Sequence, residues 1–350
     1  MSKISLAVKY RPKSFDDVVE QKAIKDILTD QIKTGTFQHS YLFCGPAGCG
    51  KTTAARIFAN DINQGKGNPI EVDAASNNGV DNVREIIDGA RRKSLDSDYK
   101  VYIIDECHML STGAWNAMLK LLEEPPKTTV FIMCTTDPQK IPATILSRVQ
   151  RYNFSKISLD NIINRLQNIV SWEAAELEHE AGVMDAYSYT DEAIQYIAKL
   201  ADGGMRDAIT MMDKCLSLDP DLTIESVVRA LGTVDYNTHF ELLLKMEMGA
   251  TDTAVKIIES VYNSGKDLKQ FLKQFQYFVL DVCKYKLFRD FKYVSIPALD
   301  EYKQKLDDED FEMALEVLEW VRQLNSDIKW ESNPKAICQT SIMLFRYKEA

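Results

Sequence analysis

The sequence lacks several features that would place its 350 residues in a special class of protein. It has no run of about 18 consecutive apolar residues, so it contains no ordinary membrane-spanning helix. Residues 1–9 also contain no apolar stretch long enough for the core of a signal peptide. We therefore predict a cytoplasmic protein that does not contact a membrane.

Cysteine is scarce and shows no metal-binding pattern. The cysteines form no C-x-x-C pair, and an odd number cannot all pair within one chain. Several lie inside apolar, strand-like runs, which is typical of reduced thiols in a core. The sequence therefore predicts neither a disulfide framework nor a zinc site. The seven cysteines are Cys44, Cys49, Cys107, Cys134, Cys215, Cys283 and Cys338.

Positive charge is in short supply as well. Lys and Arg number 42 against 52 Asp and Glu, which gives a net charge of -10. A chain that embraces nucleic acid with its whole surface would be basic, so any contact with DNA must be local. The apolar fraction of 45% is ordinary for a globular protein, and the length favours two or three domains.

Strand-like runs alternate with helical patterns in the first half of the chain. Their Val, Ile, Tyr and Phe residues are typical of a parallel sheet that helices cover on both faces. After Phe154 apolar residues recur at helical spacing, so we expect only helices, among them 268–288 and 311–324. The fold class is therefore α/β, followed by helical domains. The five strand-like runs are 40–44, 69–72, 100–104, 129–134 and 151–154.

Four helix boundaries are also predicted. Thr190, followed by two acidic residues, indicates a helix start, because a hydroxyl caps the first N–H groups and carboxylates complement the helix dipole. The glycine pair at Gly203 ends that helix, and the next begins near Met205. The acidic run 307–310 is interpreted as a solvated helix start.

A complete G-x-x-x-x-G-K-[ST] motif follows the first strand. Its glycines let backbone N–H groups converge on phosphates at the N-terminus of the next helix. Lys51 can neutralise β and γ oxygens, and Thr52 can hold Mg²⁺. The residues predicted to bind ATP here are Gly45, Pro46, Ala47, Gly48, Cys49, Gly50, Lys51, Thr52 and Thr53.

Polar side chains end the third and fourth strands. Asp105 is expected to reach the Mg²⁺ ion, and Glu106 to orient and deprotonate the attacking water. Thr136 is expected to hydrogen-bond the γ-phosphate or the water. His108 is interpreted as a partly buried side chain that flanks the site, rather than as a chemical group.

Several further motifs occur in a fixed order along residues 7 to 236. Together they resemble the bacterial DNA polymerase III gamma/tau clamp-loader subunits and, more widely, the replication factor C small subunits. The motifs are Tyr10-Arg11-Pro12, 104–110 (IDECHML), 122–126 (LEEPP), 135–142 (TTDPQKIP), 145–148 (ILSR), 204–208 (GMRDA) and 231–235 (LGTVD). The resemblance implies an AAA+ ATPase domain, a helical lid and a helical collar. Their expected bounds are 1–158, 159–235 and 236–350.

The resemblance also implies roles for residues outside the phosphate loop. Arg148 would be an arginine finger that reaches the ATP of a neighbouring subunit in trans. Arg206 would be a sensor in the lid that contacts the γ-phosphate in cis. The residues implied beside the adenine are Tyr10, Arg11, Pro12 and Val18.

The implied activity is ATP-driven loading of a sliding clamp. ATP binding would open the clamp and place it on primer-template DNA, and hydrolysis would release both. The implied assembly is a five-membered arc of identical or different subunits. Because 60–68 is a short polar loop without cysteine, we expect a short form without the zinc module, and also without the C-terminal tail of tau.

Two alternatives stay open from the residues. The segment 105–108 (DECH) also occurs in DExH-type helicases, but these need a second α/β motor domain. A ring subunit that binds ATP without hydrolysing it would not need all five of the residues Lys51, Thr52, Asp105, Glu106 and Arg148.

Overall fold

The computed structural model describes residues 4–181, 187–231, 236–296 and 300–345. The chain forms two compact units. The sheet unit comprises Met1–Ala186 and Ala201–Asp213, and the helical unit comprises Tyr187–Leu200 and Lys214–Ala350. The expected three-domain bounds stay a prediction. Residues 232–235 of the 231–235 motif lie outside the described residues.

Helices and strands alternate up to the fifth strand. In chain order the elements are α1 Leu6–Lys9, α2 Lys22–Thr34, β1 Ser40–Cys44, α3 Lys51–Ile62, β2 Ile70–Asp73, α4 Val80–Ala90, β3 Lys100–Asp105, α5 Thr112–Glu123, β4 Thr129–Thr135, α6 Ala143–Leu146, β5 Gln150–Asn153, α7 Leu159–Ala181, β6 Ser188–Tyr189, α8 Asp191–Leu200, α9 Met205–Leu218, β7 Asp221–Leu222, α10 Ile224–Leu231, α11 Tyr236–Glu247, α12 Thr251–Asn263, α13 Leu268–Phe288, α14 Asp300–Asp308, α15 Phe311–Asp327 and α16 Pro334–Phe345. Short 3₁₀ turns occur at Cys107–Met109, Pro138–Lys140, Phe291–Tyr293 and Ile328–Trp330.

Five parallel strands form the sheet in the order β2-β3-β4-β1-β5. Each predicted strand is found within one residue of its expected ends. Alternate side chains of β1 enter two cores: Tyr41 packs with Phe58 of α3, and Leu42 packs with Trp115 of α5. The α/β class predicted from the buried strand pattern is therefore confirmed, with helices on both faces.

The strand order also positions the functional residues. Strands β3, β4 and β1 are neighbours, and Cys44 at the end of β1 pairs with Thr135 at the end of β4. The N–H of Gly45 donates to the carbonyl of Thr135 at 3.2 Å. Because parallel strands end at the same edge, the phosphate loop and Asp105 meet there.

The helical unit differs from the sequence prediction in one detail. Besides its helices it contains a short parallel pairing of β6 with β7. Two-residue strands leave no alternating pattern in the sequence, so they were missed. Helix α13 has the predicted bounds, and α15 extends three residues beyond the predicted end at Leu324.

Apolar residues at helical spacing explain the core of the helical unit. Helix α13 buries one face and packs along α15. The ring of His239 stacks on Phe271, Phe275 and Phe278, with centroid separations of 5.1, 5.9 and 5.4 Å. None of the helices in the described part of the chain is long and apolar enough to span a bilayer.

Two predicted helix starts are confirmed. The Oγ1 atom of Thr190 accepts a hydrogen bond from the N–H of Ala193 at 3.3 Å, and α8 begins directly after it. Helix α9 begins at Met205, as expected from the glycine pair. The predicted caps therefore act as local signals.

The acidic run 307–310 is a helix start only at Asp310, because its first two residues end α14, and it is only partly solvated. Asp310 caps α15 by accepting from the N–H of Met313 at 2.8 Å. Glu309 is only 8% exposed, so its expected solvation was wrong. Burial, followed by its hydrogen bond to the carboxylate of Glu247, raises the pKa of Glu309 to about 9. A tertiary contact thus overrides the local charge pattern.

Candidate active site

A cavity of about 260 Å³ lies in the sheet unit. Asp105, Glu106 and Arg206 line it, together with most of the residues predicted to bind nucleotide. The latter are Tyr10, Arg11, Pro12, Val18, Ala47, Gly48, Cys49, Gly50, Lys51, Thr52 and Thr53. The structure therefore brings the Tyr10-Arg11-Pro12 motif (the N-terminal box), the phosphate loop and the start of α9 together at one site.

Two glycines of the phosphate loop, Gly45 and Gly48, lie where a side chain would clash with neighbouring backbone. A Cβ atom on Gly45 would lie 2.5 Å from the carbonyl oxygen of Phe154, and one on Gly48 would lie 2.9 Å from the Cα of Gly204. Gly48 also has a left-handed φ of +69°, which side chains disfavour. Its carbonyl accepts from the N–H of Met205 at 3.1 Å. The loop backbone therefore contacts the start of α9 directly.

Lys51 is buried, and its ammonium group donates to two carbonyls of the loop. The side chain belongs to a residue only 6% exposed, and its Nζ donates to the carbonyls of Gly45 and Pro46 at 2.8 and 2.7 Å. A buried ammonium group needs such acceptors. Neither Gly45 nor Pro46 lines the cavity, but both hold Lys51 at its wall. Phosphate oxygens can replace these carbonyls as acceptors.

Thr52 and Asp105 place oxygen atoms side by side at the cavity. The Oγ1 of Thr52 donates to Oδ2 of Asp105 at 2.9 Å, and Oδ1 of Asp105 accepts from the N–H of Glu106 at 3.0 Å. Over the described residues, no group of three or more His, Cys, Asp or Glu side chains could hold a metal. Mg²⁺ usually takes one or two protein oxygens plus phosphates and water, so this pair fits it.

Glu106 lies beside the expected Thr136 and also beside His108. Its backbone is left-handed, with φ 47° and ψ 42°. Its Oε2 accepts from Oγ1 of Thr136 at 3.0 Å and lies 3.2 Å from Nδ1 of His108. The strand-end residues predicted separately therefore meet in space. The sequence interpretation of His108 missed its contact with this carboxylate.

Arg165 is a cavity residue that the sequence did not single out. It lies on α7 and donates to the carbonyl of Tyr10 at 3.0 Å. Its guanidinium lies 5.1 Å from the ring of Trp172, on which Tyr10 also stacks with a centroid separation of 5.6 Å. Burial lowers the pKa of Arg165. No motif marks this residue, because its role depends on how α7 packs against the N-terminal box.

Four cationic side chains and three carboxylates line the cavity. Arg206 and Arg165 line it with Lys51. Burial, and then the neighbouring Arg56 and Arg206, lower the pKa of Arg11 at the same wall. Like charges gathered in a cleft attract an anion. The cavity is therefore suited to a polyphosphate.

Arg148 lies outside this cavity. Its Nε donates to Oε1 of Glu123 at 2.7 Å, and its Nη1 donates to the carbonyl of Thr144 at 2.5 Å and to Oγ of Ser147 at 3.1 Å. About a third of its side chain is exposed. The residue is thus held on the surface of its own chain, and its role in a neighbouring subunit stays a prediction.

Sequence comparisons agree with the motifs. The family model described as DNA polymerase III, delta subunit, matches residues 69–158. The DNA polymerase III subunit tau of Bacillus subtilis (strain 168) is 35% identical, and the alignment covers 95% of this chain and 62% of that protein. The chain is a homologue of the DNA polymerase III tau/gamma subunits. The tau subunit of Escherichia coli (strain K12) is 33% identical, covering 76% of this chain and 43% of that protein.

The tau/gamma homologues extend the match well beyond the delta-subunit model, because they align along most of this chain. The resemblance predicted from the motifs is therefore confirmed. The chain spans less than two thirds of the length of either tau homologue. Similarity alone therefore does not assign the activities of the complete tau and gamma subunits to this chain.

A structural comparison concerns the fold. Thermotoga maritima RuvB, described as a Holliday junction branch migration motor, matches with a TM-score of 0.51 and 18% identity. The match covers 74% of this chain and 86% of that chain. At this identity the likeness shows the fold alone, and it confirms the predicted AAA+ ATPase fold.

Proposed function

We propose that this tau/gamma homologue is the ATP-hydrolysing subunit of a DNA sliding-clamp loader. One observation carries the proposal: the phosphate loop, Asp105, Glu106 and Arg206 converge on a single cavity. The names of the homologues support a setting in DNA polymerase III. ATP is the proposed substrate, and Mg²⁺ is the proposed cofactor.

Each residue at the cavity has a defined task. Lys51 exchanges its two carbonyl contacts for β and γ oxygens. Thr52 and Asp105 would hold Mg²⁺, which supplies charge that stabilises the phosphate oxygens. Glu106 orients a water for attack on the γ-phosphorus and accepts its proton. The bond to the β-phosphate oxygen then breaks and leaves ADP and inorganic phosphate, while Thr136 holds Glu106.

Two arginines would couple this chemistry to assembly. Arg206, at the start of α9, contacts the γ-phosphate in cis and draws the lid onto the nucleotide. Arg148 completes the ATP site of the next subunit in trans. Because the γ-phosphate leaves on hydrolysis, both contacts are lost, and the assembly changes from an ordered to a released state.

The proposed assembly is a five-membered arc of identical or different subunits in the cytoplasm. With ATP bound, the arc opens a sliding clamp and holds primer-template DNA. The expected division into ATPase domain, lid and collar at 1–158, 159–235 and 236–350 belongs to this proposal. A DExH-type helicase is disfavoured, because the residues that the structure describes contain a single five-stranded sheet and no second motor sheet.

ATP turnover in the presence of clamp and primed DNA tests the proposal. Lys51→Ala should lower turnover by at least about 10²-fold, because a charge that stabilises the transition state is lost. Lys66→Ala, in the exposed loop after α3, is the matched control and should leave turnover unchanged. Full turnover in Lys51→Ala would refute the site. ATP binding without turnover in the unmodified chain would favour a structural ring subunit.

A further inference from the structure

His108 has no task in the mechanism above, although it lies beside the carboxylate that orients the water. We propose that His108 is a positioning residue that, together with Thr136, fixes the Glu106 carboxylate for attack. This inference rests on the proposed hydrolysis of ATP. It gives a role to a side chain that the sequence assigned to the edge of the site.

The local backbone brings the ring to the carboxylate. The left-handed conformation of Glu106 ends β3 and begins the 3₁₀ turn Cys107–Met109, which carries His108. The Nδ1 atom of His108 lies 3.2 Å from Oε2 of Glu106 and 3.2 Å from Oγ1 of Thr135. Its side chain is only 12% exposed. The ring is therefore held against the carboxylate by its surroundings.

The neighbours decide which ring nitrogen carries a proton. A carboxylate oxygen can only accept, so the contact with Glu106 is favourable when Nδ1 carries hydrogen. The Oγ1 of Thr135 accepts from the N–H of Asp137 at 3.0 Å and has a second lone pair for Nδ1. A bare Nδ1 would instead face a carboxylate lone pair. The geometry therefore favours the form of His108 with its proton on Nδ1.

Two polar contacts then meet at the same carboxylate oxygen. Thr136 donates to Oε2 of Glu106 at 3.0 Å, and His108 approaches that oxygen from the following turn. Contacts on Oε2 restrict rotation of the carboxylate and leave Oε1 to accept from the water. Orientation of a catalytic group affects the rate of the chemical step more than the affinity for substrate. Loss of His108 should therefore lower kcat and leave ATP affinity unchanged.

A pair of substitutions at His108 distinguishes the effect of the Nδ1 donor from the effect of side-chain bulk. In Asn the amide nitrogen is bonded to Cγ, as Nδ1 is in His, so His108→Asn keeps a donor at that place. His108→Leu removes the donor. In the assembled oligomer we expect His108→Leu to lower kcat by about 10- to 100-fold, and His108→Asn by less than about threefold. The dissociation constant of ATP should change by less than about twofold in both.

The outcome distinguishes this inference from the proposed function. Equal losses in the Asn and Leu variants, or weaker ATP binding at constant kcat, would overturn the positioning role. A Glu106→Gln variant should be inactive, and adding His108→Leu to it should cause no further loss, because both act through one carboxylate. If His108→Leu is fully active while Glu106→Gln is not, the positioning role alone is wrong.

Two further results are informative. If Glu106→Gln retains full turnover, the proposed hydrolysis mechanism and the role of His108 both fail. If His108→Leu does not fold, His108→Gln replaces it, since its amide nitrogen takes the place of Nε2 rather than Nδ1. Gln should then lose activity where Asn keeps it, and equal activity of the two would contradict the proposal.

Discussion

The sheet unit and the helical unit bury polar groups for different purposes. In the sheet unit, Lys51 is buried at the wall of a cavity, and its acceptors are carbonyls that a phosphate can replace. In the helical unit, phenylalanine rings stack on His239, and Glu309 is buried beside the carboxylate of Glu247. Burial alone therefore does not identify a functional group, whereas burial beside a cavity with exchangeable partners does.

The largest expected effect tests whether a residue of the sheet unit acts at the ATP site of a neighbouring subunit. Arg148→Ala should leave ATP binding nearly unchanged but lower hydrolysis in the oligomer by about 10³- to 10⁵-fold, as arginine fingers do in GTPases. Turnover and binding are measured on the same assembly. Arg151→Ala, which removes an exposed arginine three residues further on, is the matched control and should be active.

Mixing Arg148→Ala with Lys51→Ala subunits tests the trans arrangement directly. A site that combines Lys51 of one subunit with Arg148 of its neighbour is intact in some mixed assemblies, so turnover should be partly recovered. Absence of any recovery would leave Arg148 without a role in a shared site. The ATP site of the sheet unit would then be formed by residues of a single chain.

A substitution in the helical unit should affect stability without affecting the site. Phe275 is fully buried between aromatic rings, so Phe275→Ala should lower the free energy of unfolding by about 3–5 kcal/mol. Tyr277→Ala, on the same helix but 58% exposed, should change it by less than about 0.5 kcal/mol. Urea unfolding followed by circular dichroism measures both. Weakened ATP binding of folded Phe275→Ala would break the distinction between the units.

The smallest expected effect concerns the buried carboxyl pair. Since the pKa of Glu309 is raised to about 9 in the folded state, folding favours its protonated form. Its favourable contribution is therefore present below its unfolded pKa, near 4.5, and is lost as pH rises towards about 9. Glu309→Gln stays neutral, so it should be more stable than the unmodified chain by about 1–3 kcal/mol at pH 9 and about equal at pH 4.5.

Thermal or urea unfolding between about pH 4.5 and pH 9 measures this difference, and Glu316→Gln on the exposed face of α15 is the control. The control should follow the unmodified chain at every pH. A Glu309→Gln profile parallel to that of the unmodified chain would show that Glu309 ionises in the folded protein without cost. The carboxyl pair would then be solvated, as the charge pattern of the sequence had indicated.

Features that depend on residues adjacent in sequence could be predicted from the sequence. The strands were found within one residue because buried parallel strands are continuously apolar. The bounds of α13 followed from the helical spacing of its apolar residues. The two-residue pairing of β6 with β7 was missed, because it depends on two backbone hydrogen bonds between segments that are distant in sequence.

The sequence by itself determined the chemical groups of the site. The glycine-rich loop with Lys51 and the carboxylates at the end of β3 are local patterns, and each can be recognised from residues adjacent in sequence. Only the tertiary structure decided that Arg165 joins the cavity, that His108 contacts Glu106, and that Glu309 is buried. The reason is physical. Those three facts depend on distances between segments and on solvent exposure, and neither is encoded in the spacing of residues along the chain.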